Sequence, residues 1–212
     1  MQPPVAGGAS TKSGFGLRAF LCSLADPRAW SQLLRLLHYY NYSHVKQRRR
    51  VSIGPGVLLA PNVSFANGER IEIGAGAHVG ARCFLWAGDH EGRIVLGEHA
   101  LLGPEVFITA SDYQFEPGAL IVDQPRNGRD VIIGRDVWLG ARVIVVAGVH
   151  IDDGCVVGAG SVVTRSLPAN AIAVGNPARV IGSRDPGASA RSEDGRVHVR
   201  AWSKDGAGPL PS

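Results

Sequence analysis

Between Val131 and Gly182 an aliphatic residue falls on every sixth position: Ile133, Leu139, Val145, Ile151, Val157 and Val163. Four residues after each stands a second position, mostly small or β-branched: Val137, Val143, Val149, Cys155, Ser161 and Leu167. Gly134, Gly140 and Gly158 follow their anchors directly. A helix of 3.6 residues per turn loses such a register within a few cycles, whereas an even period keeps the same strand positions facing inward. The pattern predicts short strands stacked through tight turns, a solenoid.

The beat runs upstream with interruptions, through Ile53, Leu59 and Phe65, then Ile73, Val79 and Leu85, then Leu96, Leu102 and Ile108. Grouped in threes, these anchors are the faces of triangular coils. In the first three coils the companion after the third face is charged: Glu69, Asp89 and Asp112. Extra residues follow that face each time, so every insertion leaves the prism at one corner. Insertions gathered on one side of a repeat protein mark its binding face. Five residues past the third-face anchors stand His90, Tyr113 and His150. If the register carries through, they form one column with members roughly one strand spacing, 4.8 Å, apart.

Residues 1–13 lack periodicity and read as unstructured. Residues 14–50 read as a helical cap: Asp26-Pro27 is an N-cap followed by proline at the first helical position. Trp30, Leu33, Leu34, Leu37 and Tyr40 then give one apolar face, expected to cover the open base of the coil stack. The basic cluster Lys46, Arg48, Arg49 and Arg50 follows. Helix and cluster together also fit a membrane surface. Residues 51–182 are the coil domain, interrupted by a loop at 114–130 whose Pro117, Gly118, Pro125 and Gly128 suggest a shaped arm. Residues 183–212 read as a flexible tail in which "VHVRAWS" is the one segment with strand character.

Composition narrows the function. The chain has 212 residues, 28 glycines and only 7% aromatics, which suits thin, turn-rich coils in one domain. No apolar run approaches the ~20 residues that span a bilayer, and no signal peptide is expected, so the cytoplasm is the default compartment. The formal charge of +4 comes without a nucleic-acid recognition module, so no nucleic acid is expected. An anionic small molecule fits the charge equally well. Three cysteines without CxxC spacing argue against a disulfide frame or a zinc site, and no metal is expected.

The repeats resemble those of the hexapeptide-repeat acyltransferases. "VIIGRDVWLGARVIVVAGVHIDDGCVVGAGSVVTRSLPANAIAVGNPARVIG" is similar to the terminal coils of the maltose, galactoside and sugar O-acetyltransferase group. "LLGPEVFITASDYQFEPG" is similar to that group's active-site coil. The resemblance implies an all-β chain, a left-handed parallel β-helix of hexapeptide repeats behind an N-terminal α-helical cap. It also implies acetyl transfer from acetyl-CoA to a sugar hydroxyl, nucleotide- or lipid-linked precursors among the acceptors, in a homotrimer whose sites lie between subunits. Trp138 resembles the family's tryptophan beside the thioester. Gly140, Ala141, Ala159, Gly160 and Ser161 match its coenzyme-binding turns, with Asn176 at the exit of the last coil. Thr164, Arg165, Arg179 and Arg184 are expected near the coenzyme's phosphates.

In these enzymes a histidine just after the "ITAS" strand is the general base, a task that suits an imidazole. Here "SDYQF" puts Tyr113 in that slot, and an unperturbed phenol near pKa 10 is a poor base at neutral pH. His90 supplies an imidazole instead, or Tyr113 works as a phenolate beside a cation, or the site does not catalyse acyl transfer. Asp89 resembles a substrate-contacting aspartate, and Asp112 is expected to orient the base or bind a sugar hydroxyl. His150, by contrast, reads first as a turn residue. Two other classes stay open: a non-catalytic scaffold, raised by Tyr113, and a metal-dependent protein like the γ-class carbonic anhydrases. A location peripheral to the inner membrane face is compatible with the basic helix.

Overall fold

The computed structural model describes Cys22 and residues 24–185. Residues 1–13, most of the expected tail and "VHVRAWS" lie outside the described residues. Two compact units divide after Tyr40.

The first unit contributes one described helix, α1 (Pro27–Tyr40). Its start follows the expectation: Asp26 Oδ1 accepts from the Arg28 backbone N–H at 2.8 Å, filling one of the orphan donors of the first turn. No residue of α1 is buried.

The second unit opens with a π-helical turn at Asn41–Lys46 and a 3-10 turn at Arg48–Arg50. It then winds through five coils as a parallel β-helix. The first face stacks Ser52–Ile53, Ile71–Ile73, Ile94–Leu96, Val131–Ile133 and His150–Ile151. The second stacks Leu58–Leu59, His78–Val79, Leu101–Leu102, Trp138–Leu139, Val156–Val157 and Ala171–Val174, and Arg179–Ser183 turns back antiparallel on the last. The third stacks Ser64–Ala66, Phe84–Trp86, Phe107–Thr109, Ile144–Val145 and Val162–Val163.

The hexad anchors are the core. From Phe65 to Val163 every one is at most 3% exposed, because one side chain per strand points into the triangular interior. Leu85, Leu96, Leu102, Ile108, Ile133, Leu139 and Ile151 are the large members. Each contributes about 2 kcal/mol by leaving water. In the lowest coil Ile53 is 40% exposed and Leu59 only partly buried, there being no coil beneath them. The small companions seal the corners; Cys83 and Cys155 are fully buried, as free thiols donating to the carbonyls of Gly103 and Pro168.

Candidate active site

The corner between the third and first faces carries all the insertions. After Phe84–Trp86 the chain makes a short excursion through Asp89 and His90 before rejoining the first face at Ile94. After Phe107–Thr109 it makes a long one, a two-stranded hairpin of Ser111–Tyr113 against Arg126–Gly128. Asp89, His90, Ser111, Tyr113, Gln124 and Arg126 line a cleft of about 620 Å³ between the two excursions.

Strand alternation decides which hairpin residues enter the cleft. Ser111 and Tyr113 do; Asp112, between them, is not among the lining residues and pairs with Arg129 at 3.0 Å. Asp112, expected to orient the base or bind a sugar hydroxyl, thus stands outside the cleft lining. The expected column of His90, Tyr113 and His150 is corrected. His150 opens a first-face strand in register with Ile132, while His90 and Tyr113 sit on separate excursions. Hexad counting stops carrying position once the chain leaves the coil. The cleft nevertheless brings His90 and Tyr113 together, by loop packing instead of stacking.

Arg126 organises the cleft, and sequence reasoning missed it. It stands directly opposite Tyr113 in the hairpin and donates a hydrogen bond to the phenol oxygen. Its guanidinium carbon lies 4.5 Å from the Tyr113 ring centroid, within cation–π range. The same guanidinium donates to Asp89 Oδ2 at 3.1 Å, and Asn67 Nδ2 donates to Asp89 Oδ1 at 3.0 Å. The hydrogen bond to Tyr113, with Asp89 beside it, holds Arg126 above its already high ordinary pKa. One chemical signal could have found it. A phenol in a base's slot calls for a cation, and Arg126 and Arg129 are the loop's only two. His90 has no hydrogen bond or ion pair among the described residues, and the Ser111 hydroxyl is buried without a partner.

The loop beyond is braced by Gln124. Gln124 accepts from the Glu116 N–H at 2.8 Å and donates to the carbonyls of Glu116 and Ala119 at 2.9 and 3.1 Å. The arm so braced exposes Phe115, Leu120, Ile121 and Val122, the first 79% exposed.

The residues matched to coenzyme binding do not form one site on a single chain. Ala141, Ala159 and Gly160 line a groove of about 470 Å³ at the corner between the second and third faces, beside an ion-pair ladder of Arg82, Glu105 and Arg142. Gly140 opens one of the turns there and is buried. Ser161 is fully buried, its hydroxyl donating to Gly158 O at 2.7 Å and accepting from Gly175 N–H at 3.0 Å, so it holds the turn together. Trp138, half-exposed on the second face, shares another groove with His78, His99 and Arg184. There Arg184 is paired with Asp136 at 2.9 Å. Thr164 and Arg165 are exposed in the turn after the last third-face strand. Asn176 and Arg179 are exposed near the chain's return on the second face. Among the described residues no three His, Cys, Asp or Glu side chains converge as a metal site.

Comparison with known proteins agrees with the coils. A family profile described as "hexapeptide repeat of succinyl-transferase" matches residues 130–165. A galactoside O-acetyltransferase of Escherichia coli (strain K12) is 29% identical over 159 residues, 69% of this chain and 74% of that one. A putative colanic acid biosynthesis acetyltransferase of the same organism is 33% identical, over 62% of this chain and 69% of the relative. Among solved structures, a galactoside acetyltransferase in complex with coenzyme A superposes with a TM-score of 0.61 at 25% identity. That superposition covers 79% of this chain and 86% of the other. The coil stack is therefore the left-handed parallel β-helix, and the chain belongs to the hexapeptide-repeat acetyltransferase family.

Proposed function

We propose that this protein transfers an acetyl group from acetyl-CoA to a hydroxyl of a sugar or sugar-containing precursor, such as an intermediate of surface polysaccharide. The observation that carries the reading is the cleft, where an unengaged imidazole, His90, faces a polar wall of Asp89, Ser111, Tyr113 and Arg126. In the proposed step His90 takes the proton of the acceptor hydroxyl as its oxygen attacks the thioester carbonyl. The C–S bond breaks, the acetyl ester forms, and the coenzyme leaves as the thiol with the proton that His90 took from the acceptor. No covalent acyl-enzyme is invoked. Asp89, held by Arg126 and Asn67, and the unpartnered Ser111 hydroxyl offer the acceptor sugar its hydrogen bonds.

The coenzyme and the oligomer belong to the same reading. The matched coenzyme residues lie on different corners of one chain, so a complete site needs a second copy. The braced arm with its exposed Phe115, Leu120, Ile121 and Val122 suits contact with that copy, in a homotrimer. The free thiols Cys22, Cys83 and Cys155 fit a reducing compartment, and we assign the reaction to the cytosol. Among the described residues no helix is long and apolar enough to cross a membrane.

One observation favours a second assignment of the base. Arg126 donates to the Tyr113 oxygen and stacks on its ring, which fixes the phenol beside a cation at the cleft wall. Thiol release from acetyl-CoA against a panel of sugars separates the two. With His90 as base, His90→Ala lowers kcat by about 10²-fold or more and Tyr113→Phe by much less. Full activity in His90→Ala with loss in Tyr113→Phe moves the base to the phenol. No turnover with any acceptor, together with no coenzyme binding by calorimetry, defeats the transferase reading.

A further inference from the structure

Helix α1 presents an apolar stripe that no described residue of its own unit covers. Trp30, Leu33, Leu34 and Leu37 follow the i, i+3, i+4, i+7 spacing of one helical face. They are 51%, 54%, 64% and 63% exposed. Arg28, Gln32 and Arg35 occupy the opposite side. Tyr39 and Tyr40, 60% and 44% exposed, add two amphipathic rings at the C-terminal end. An exposed stripe of this size marks a contact surface.

The charge pattern selects the partner. From Pro27 to Arg50 the chain carries six Lys or Arg residues and no Asp or Glu. A second copy of the same segment would bring like charges together, and an acidic partner surface removes that cost. Trp and Tyr rings favour the boundary between lipid headgroups and acyl chains. Fourteen residues of helix reach only about 21 Å, too short to span the hydrocarbon core but suited to lying along its surface. We infer that α1 is an interfacial helix that docks the protein on an anionic lipid surface, stripe inward, with Arg28 and Arg35 among the headgroups. This inference does not depend on acetyl transfer.

The test is co-sedimentation of the full chain with vesicles of phosphatidylcholine alone or mixed with phosphatidylglycerol. Binding is expected only to the anionic vesicles, weakening as salt rises through screening. The double variants Leu33→Ser/Leu37→Ser and Arg28→Glu/Arg35→Glu should each bind at least about tenfold more weakly. Both should transfer acetyl to soluble sugars as the unaltered chain does, without vesicles, so that a failure of the transferase reading is seen separately. Equal binding to neutral and anionic vesicles, no binding, or unaffected variants overturn the inference. So does a fall in melting temperature of the Leu33→Ser/Leu37→Ser protein, which would mean that the stripe packs on this chain's own coils. A change in its mass by light scattering would assign the stripe to a second copy instead.

Discussion

Cys155 shows how strongly a hexad slot dictates chemistry. The coil interior excludes water from its sulfur, and that burial pushes the thiol up to about 11, with the backbone at Ala171 opposing only in part. The folded state therefore holds its proton above pH 9, where the unfolded chain has released it. Stability from this source is fully present below about pH 9 and is lost as pH rises toward 11. Two units correspond to about 2–3 kcal/mol. Urea titrations at pH 8, 9, 10 and 11 should show a steeper alkaline decline for the unaltered chain than for Cys155→Ala. Parallel declines would contradict the assignment. Tyr113 is the contrasting residue: its identity was plain in the sequence, but its partner was not, because Arg126 meets it only through the hairpin.

Elements divide the same way. The strands were legible one by one, since each contributes an inward aliphatic residue and a small companion at fixed spacing. The excursions were not, because their conformation rests on close packing between segments far apart in sequence. Gly92 is the clearest instance. Its φ is +83°, and an added Cβ would lie 2.1 Å from the Ala110 carbonyl oxygen and 2.9 Å from the Arg129 nitrogen. Gly128, across the cleft, would meet the Glu91 carbonyl oxygen at 2.1 Å. Backbone against backbone leaves no flexible atom to give way, so the excursion carrying His90 fits only without side chains there. Gly92→Ala should cost about 1–3 kcal/mol in denaturant titration and lower transfer at least tenfold by displacing His90. Wild-type kinetics in a folded Gly92→Ala protein would separate His90 from that backbone.

For the whole molecule, the proposed trimer makes the arm a structural requirement of the site. Replacing Leu120 and Val122 with Asp together puts two charges on the exposed apolar arm, where a subunit contact would desolvate them. Light scattering should then report a mass near the 22.4 kDa of one chain, where the unaltered protein gives about three times that. Acetyl transfer should fall at least tenfold with the coil stack still folded by circular dichroism. A trimer that survives the substitution would take the arm out of the interface.

The sequence by itself determined the coil: an even hydrophobic period stacks short strands with one set of side chains inward, and its breaks announced the corner that holds the cleft. Tertiary structure decided what meets there. The cleft is closed by residues from two excursions that follow no period, so Arg126 and Ser111 became visible only when the hairpin and the shorter loop packed side by side, with Asn67 of the first coil reaching Asp89. Local repetition is written in each hexad; convergence across insertions depends on contacts between segments that no periodicity encodes.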